Sequence, residues 1–220
     1  MNDRTIGRAG FLGLLGAGAL GLFFARDATG LLNSAVPKSV SAIIPTSGWR
    51  IYTVGASMPN IAPAAYRLRV DGLVDSPKSF TLADLKAMPR AEQISSFHCV
   101  TGWVVSNVHW AGVRIADVLH AAGAKSNVSA LRFVSAEVPY DDSLTLKQAL
   151  LPDVMLAYEM DGKPLRREHG APVRLVIPDM YGYKSVKWVN HIELGTATQP
   201  GYWEQHGYDV DAWLGRSNGL

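Results

Sequence analysis

The 220-residue chain has a single cysteine, Cys99. That scarcity excludes an intrachain disulfide, a CxxC zinc knuckle, an iron–sulfur site built from cysteines alone and the CxxCH attachment of a c-type haem. Charge of one sign is equally scarce: 21 Lys and Arg against 19 Asp and Glu give a formal net charge of +2, scattered along the chain. A nucleic-acid backbone requires a concentrated basic face, so nucleic acid is not an expected partner. No two histidines stand four residues apart, as the helical ligand pair of a zinc hydrolase would, and no internal repeat is visible. What the chain has is apolar material. Hydrophobic residues make up 48% and charged residues 18%, which suits one globular domain with a substantial core plus an appendage.

The appendage is N-terminal. Arg4 and Arg8 precede an uncharged run, Ala9 to Ala25, that mixes Phe and Leu with five glycines. At about 1.5 Å per residue it falls short of a bilayer core of roughly 30 Å, which favours the apolar part of an export signal over a membrane anchor. Gly7-Arg8-Ala9-Gly10-Phe11-Leu12 resembles a twin-arginine export signal, with Ala9 where the second arginine belongs. The reading is therefore an export signal or anchor over 1–30, a linker and irregular arm over 31–62, and the functional domain over 63–220. The protein is expected to be exported, either periplasmic or membrane-anchored and facing the periplasm. In the arm, the aromatic stretch around Trp49 and Tyr52 is expected to pack on the domain.

The domain reads as many short strands with few short helices. Tyr66 to Val70 alternates as a strand, and Asp71-Gly72 turns. A helix runs from Ser79 to Met88 and is stopped by Pro89. A strand from about Gln93 leads into His98-Cys99-Val100 and leaves the cysteine at a strand end, where ligands can reach. Ile115 to Ala122 is a helix with Gly123 as its C-cap. Leu131 to Ser135 is a strand and Thr145 to Leu150 a short helix. Val154 to Met160, Val173 to Ile177 and Lys187 to Leu194 are apolar strands. Without regular βαβ alternation, the pattern predicts a mixed α+β domain of mainly antiparallel or mixed sheet.

Three clusters at strand–loop borders carry chemistry: Phe97 to Trp103, Arg166 to Arg174 around His169, and Tyr181 to Trp188. An extended phosphorylated cofactor needs cationic donors from several loops, and a soft thiolate suits a transition metal. Lys184, Ser185, Lys187, His169 and Arg174 are of the right types.

The segments Val154-Met155-Leu156-Ala157-Tyr158-Glu159-Met160-Asp161-Gly162-Lys163-Pro164-Leu165, Glu168-His169-Gly170-Ala171-Pro172-Val173-Arg174-Leu175 and Lys184-Ser185-Val186-Lys187-Trp188 resemble the molybdopterin-binding domain of sulfite oxidases. Together with Trp110-Ala111-Gly112-Val113 and Tyr66 to Gly72, the likeness covers roughly residues 63 to 205. His98-Cys99-Val100 is similar to short bacterial members, including the catalytic subunit of the periplasmic methionine sulfoxide reductase. The resemblance implies the sulfite oxidase-type fold and a molybdenum–molybdopterin cofactor without an added nucleotide. It makes Cys99 the metal ligand and Tyr158 the active-site tyrosine. His169, Arg174, Ser185, Val186 and Lys187, with Ser135, would then grip the pterin and its phosphate.

Sulfite oxidases follow their cysteine with an Asn-Arg type of segment and carry another arginine before the first strand, together forming an anion pocket. Here Val100-Thr101-Gly102-Trp103 follows Cys99 with no arginine nearby, so a doubly anionic substrate would be poorly held. The expected activity is oxygen-atom transfer to or from a small substrate, either sulfoxide reduction or a sulfite-like oxidation. Electrons would pass through a redox partner such as a membrane cytochrome or a quinone-linked subunit, and a monomer is expected. The rival reading is a non-catalytic exported binding or interaction module on the same scaffold.

Overall fold

The computed structural model describes residues 48–215. All of them belong to one unit, Pro45–Leu220. The export segment and the first part of the expected linker lie outside the described residues. Among the described residues, no helix is long and apolar enough to cross a membrane.

Ten strands and four short helices follow one another. They are β1 (Arg67–Gly72), β2 (Lys78–Thr81), α1 (Leu82–Ala87), β3 (Arg90–His98), β4 (Val104–Arg114), α2 (Ile115–Ala122), β5 (Ala130–Ser135), β6 (Asp141–Thr145), α3 (Leu146–Ala149), β7 (Met155–Met160), β8 (Lys163–Pro164), β9 (Arg174–Val176), β10 (Val189–Gly195) and α4 (Tyr202–Gln205). One sheet has the order β2-β1-β10-β5-β6 and is mixed, because β1 and β10 run parallel. The other has the order β3-β4-β7-β8, with β9 also paired to β7, and all its pairs are antiparallel. This is the sheet-dominated α+β domain that the strand pattern predicts.

Local chemistry sets the boundaries. The helix expected from Ser79 starts only at Leu82, because Thr81 and Asp84 close a reciprocal capping box and Ser79 and Phe80 pair with β1. Thr145 and Gln148 form the same box at α3. Gly123 ends α2 in the left-handed region at φ 69°, as read from the sequence. β4 and β6 were not legible as strands. β4 is bulged against both neighbours, and β6 consists of Asp141-Asp142-Ser143-Leu144-Thr145, a polar run that lies buried up to Leu144. Its carboxylates are tolerated inside because Arg132 meets Asp141 and Lys184 meets Asp142.

The main core gathers Leu68, Leu131, Phe133, Leu156, Leu175, Val189 and Ile192. A second apolar cluster on the β3-β4-β7 sheet contains Trp110, Met155 and Val176, and Trp49 of the arm completes it. The expectation that the arm packs on the domain is met at that residue. β4 and β7 approach so closely that a Cβ on Gly112 would lie 1.9 Å from the Leu156 carbonyl oxygen, so only glycine fits there.

Candidate cofactor site

Cys99 sits one residue beyond β3, in a turn that the backbone closes twice. Gly102 N–H donates to Cys99 O, and Cys99 N–H donates to Trp103 O, both at 2.9 Å. Gly182 N–H donates to His98 O at 2.8 Å, tying this turn to the 181–187 loop. The thiol is half-buried, with Sγ 3.2 Å from Thr101 Oγ1. A Cβ on Gly102 would meet nothing within 4 Å, so the turn opens onto free space. Burial, with smaller contributions from Cys99 and Tyr52, raises the pKa of the Tyr208 phenol, whose ring packs on Tyr183 of the loop that Gly182 ties to His98. Tyr52, Trp103 and Phe97 stack in a column with centroids 6.5 and 5.7 Å apart.

Behind that column lies a cationic floor. Arg174 is 2% exposed, and its guanidinium lies over the rings of Phe97 and Trp110 at 5.3 and 5.2 Å. It donates to the carbonyls of His169, Ser185 and Leu175 at 3.2, 3.2 and 3.3 Å. Among the described residues no carboxylate forms an ion pair with it, and burial lowers its pKa to about 10. Lys187 donates to Tyr52 O at 2.8 Å and lies over the Trp188 ring. Burial, aided by repulsion from Arg174, lowers its pKa to about 7. His169 is 1% exposed and held by the edge of Trp49, 4.9 Å away. Burial and the charges of Arg174 and Arg166 lower its pKa to about 4, so it is neutral at pH 7.

The structure brings together most of the residues singled out from the sequence. Ser135 Oγ donates to Lys187 O at 2.7 Å and accepts Glu137 N–H at 2.9 Å, so it supports the strand under Lys187. Ser185 Oγ accepts Ile177 N–H, and its carbonyl accepts from Arg174. Val186 contributes backbone only: its side chain is in the core, and its carbonyl accepts Leu175 N–H at 2.8 Å.

Two residues stand elsewhere. Lys184 turns away from the floor and is locked between Asp142 and Glu204, whose carboxylates satisfy it completely. Tyr158 lies under Lys86 and Arg90, 5.2 and 6.0 Å from its ring centroid, at the start of β3. Cys99 follows the far end of that strand. At about 3.3 Å per residue the two ends are roughly 25 Å apart, so the expected active-site role of Tyr158 has no geometric support.

Tyr140 packs beside the 181–187 loop. Its phenol donates to Tyr183 O at 2.6 Å, its ring stacks on Tyr202, and burial holds its pKa well above the ordinary value, so it stays neutral. No motif marks it, since it lies in the connection between the paired strands β5 and β6. Glu137 was also missed: its Oε1 accepts the N–H groups of Val54 and Gly55 at 2.7 and 3.1 Å and so holds the arm beside Lys187. The density of aromatics from Tyr202 to Trp213 is the one signal that could have pointed to Tyr208.

The arrangement fits a phosphorylated, metal-carrying organic cofactor. Arg174 is taken out of water with no ion-paired carboxylate, which is costly unless an anion joins it, and Lys187 stands beside it. Trp103 Nε1, beside the cysteine turn, is a buried donor with no protein acceptor. No group of three His, Cys, Asp or Glu able to hold a metal exists among the described residues. A metal on Cys99 would therefore take its other ligands from the cofactor.

Residues 55–203 match the family model of the oxidoreductase molybdopterin binding domain. The chain belongs to this family of molybdopterin-dependent oxidoreductases. It is 39% identical over 150 residues to an uncharacterised oxidoreductase of Bacillus subtilis, covering 67% of this chain and 75% of that one. It is 33% identical over 180 residues to Arabidopsis thaliana sulfite oxidase, covering 66% and 46%. A protein of Azospira oryzae named as a protein-methionine-sulfoxide reductase subunit is 33% identical over 154 residues, covering 70% and 57%. The fold matches the sulfane dehydrogenase SoxCD of Paracoccus pantotrophus with a TM-score of 0.61 at 28% identity, over 65% of this chain and 41% of that one. The chain thus spans half or less of sulfite oxidase and SoxCD.

Proposed function

We propose that the chain is an exported molybdenum–molybdopterin oxidoreductase that moves an oxygen atom to or from a small substrate, with Cys99 as the protein ligand of the metal. The observation that carries this reading is the buried Arg174 with Lys187 beside it, neither ion-paired to a carboxylate among the described residues, on and next to the 181–187 loop whose Gly182 N–H binds His98 O adjacent to the half-buried lone thiol. Arg174 and Lys187 would neutralise the pterin phosphate, with neutral His169 and the Ser185 and Val186 backbone beside them. Trp103 Nε1–H would meet an acceptor of the cofactor. When bound, the group supplies two-electron redox chemistry at the metal.

The mouth favours one class of substrate. Trp103, Tyr52 and Tyr208 line it, and no arginine follows Cys99. A neutral sulfoxide suits such a wall better than doubly charged sulfite, which needs fixed cations. The phenol of Tyr208 would hold a proton beside the substrate. The expected electron partner is a separate membrane cytochrome or quinone-linked subunit, and the expected compartment is the periplasm.

The test is molybdenum analysis with pterin fluorescence on wild type and Cys99→Ser, followed by viologen-driven sulfoxide and ferricyanide-linked sulfite assays. Near one metal per wild-type chain, a loss of metal or of all turnover in Cys99→Ser, and sulfoxide turnover are expected. Wild-type protein from a cofactor-competent host that contains neither metal nor pterin would overturn the reading in favour of a binding module.

A further inference from the structure

Asp142, Lys184 and Glu204 lie outside the cofactor floor, yet they are among the most deeply buried charges described. Their side chains are 3%, 2% and 1% exposed. Lys184 Nζ is 2.6 Å from Asp142 Oδ1 and also contacts Glu204 Oε1. The packing is built for this approach: a Cβ on Gly201 would lie 2.8 Å from Asp142 Cγ and 2.7 Å from Asp141 O. The second Glu204 oxygen accepts Gly201 N–H at 2.9 Å, and Asp142 Oδ1 accepts Ser143 N–H at 2.7 Å.

Charge counting decides what this cluster does. Two carboxylates around one ammonium leave one uncompensated negative charge away from water, an arrangement relieved by a single proton. Asp142 is faced by Lys184 from the 181–187 loop, by Glu204 from α4 and by Tyr140 next to its own strand. Arg132 of β5 is turned to the other side of β6, onto Asp141. Burial pushes the Asp142 carboxyl up to about 7, with Glu204 adding to the rise and Lys184 opposing it.

The three residues come from three elements, β6, the 181–187 loop and α4. Lys184 is in the loop that carries Ser185 and Lys187. Glu204 is in α4, whose Trp203 packs on Tyr208 at 5.0 Å and accepts Tyr208 N–H through its carbonyl. Tyr208 also packs on Tyr183, in the loop whose Gly182 N–H binds the carbonyl of His98 next to Cys99. We propose that Asp142, Lys184 and Glu204 form a proton-dependent clasp that holds the 201–209 segment, and with it Tyr208, against the Cys99 mouth. All three are positioning residues, acting through Tyr208. The clasp bears on the oxidoreductase site proposed above but does not presuppose a cofactor, so it can be tested on the full chain without metal.

The sign follows from the proton. The closed state binds a proton that an ordinary, opened carboxylate releases near pH 4, so closure is strongest in acid and weakens as pH rises to about 7. Between pH 6 and pH 8 the closed-to-open ratio should fall about tenfold.

The experiment is hydrogen–deuterium exchange of peptides spanning 201–209, corrected for intrinsic rates, with β10 peptides as the reference. In wild type, protection of 201–209 is expected to fall about tenfold from pH 6 to pH 8 while β10 is unmoved. Asp142→Asn should abolish that dependence. Glu204→Gln, which removes the excess negative charge, should flatten the dependence as well. The same pH response in Asp142→Asn as in wild type, or an equal change in β10, would overturn the clasp. The outcome is independent of whether molybdenum is found.

Discussion

Replacing Arg174 by methionine separates the demands of binding from those of folding. The guanidinium is buried without an ion-pair partner, and the depression of its pKa to about 10 corresponds to about 3 kcal/mol spent on holding a charge there. Its three hydrogen bonds to carbonyls return about 1 kcal/mol each. The contacts with Phe97 and Trp110 are replaced by thioether–aromatic contacts of similar size, each about 1 kcal/mol. These terms nearly cancel. Arg174→Met is therefore expected to fold with a stability within about 2 kcal/mol of wild type, a Tm change of only a few degrees for a chain of this size. Its cofactor content should nevertheless fall below about a tenth, because about 1.4 kcal/mol already makes a tenfold difference and a charge-assisted phosphate contact exceeds that. Calorimetry with metal and pterin analysis on the same preparation reads both quantities. A stability loss above about 4 kcal/mol would make Arg174 a framework residue. Full cofactor retention would refute its place in the anion site.

Other consequences follow from single contacts. Lys187, with its pKa lowered to about 7 in the ligand-free site, is charged below pH 7 and neutral above it. Since an anion binds the charged form, affinity for inorganic pyrophosphate should fall about tenfold from pH 6 to pH 8 by calorimetric titration. A Lys187→Arg variant should lose that dependence, and an unchanged pH response in it would assign the effect to another group. Gly112→Ala drives a Cβ into the Leu156 carbonyl and should cost more than about 3 kcal/mol of stability. A melting temperature unchanged by that substitution would contradict the β4–β7 register. Tyr208→Phe should lower kcat at least about tenfold while Tyr158→Phe leaves it within about twofold. The opposite ranking would return the active-site role to Tyr158.

Function class was legible before any coordinates through the resemblance to the sulfite oxidase family, which residue types at fixed spacing carry. A lone cysteine next to His98, the His169-to-Arg174 interval and Lys184-Ser185-Val186-Lys187 are chain-local patterns, and local order survives in the sequence. The same holds for the α2 helix with its glycine cap and for the apolar strand β7, whose burial is written in consecutive side chains. Strand β6 was not legible, since what makes its aspartates tolerable inside is Arg132 on β5 and Lys184 in a loop more than forty residues on.

Which residue of a motif faces which way was decided only by tertiary structure. Lys184 and Lys187 are three residues apart and chemically alike, yet one is neutralised by two carboxylates and the other is left as a desolvated cation beside Arg174. Tyr158 belongs to the motif but lies by the start of β3, whereas Tyr208 belongs to none and packs on the loop tied to His98. The sequence determined the inventory of donors and the kind of cofactor they suit. Long-range packing, which depends on pairs of residues far apart in the chain, decided which of those donors converge on Cys99.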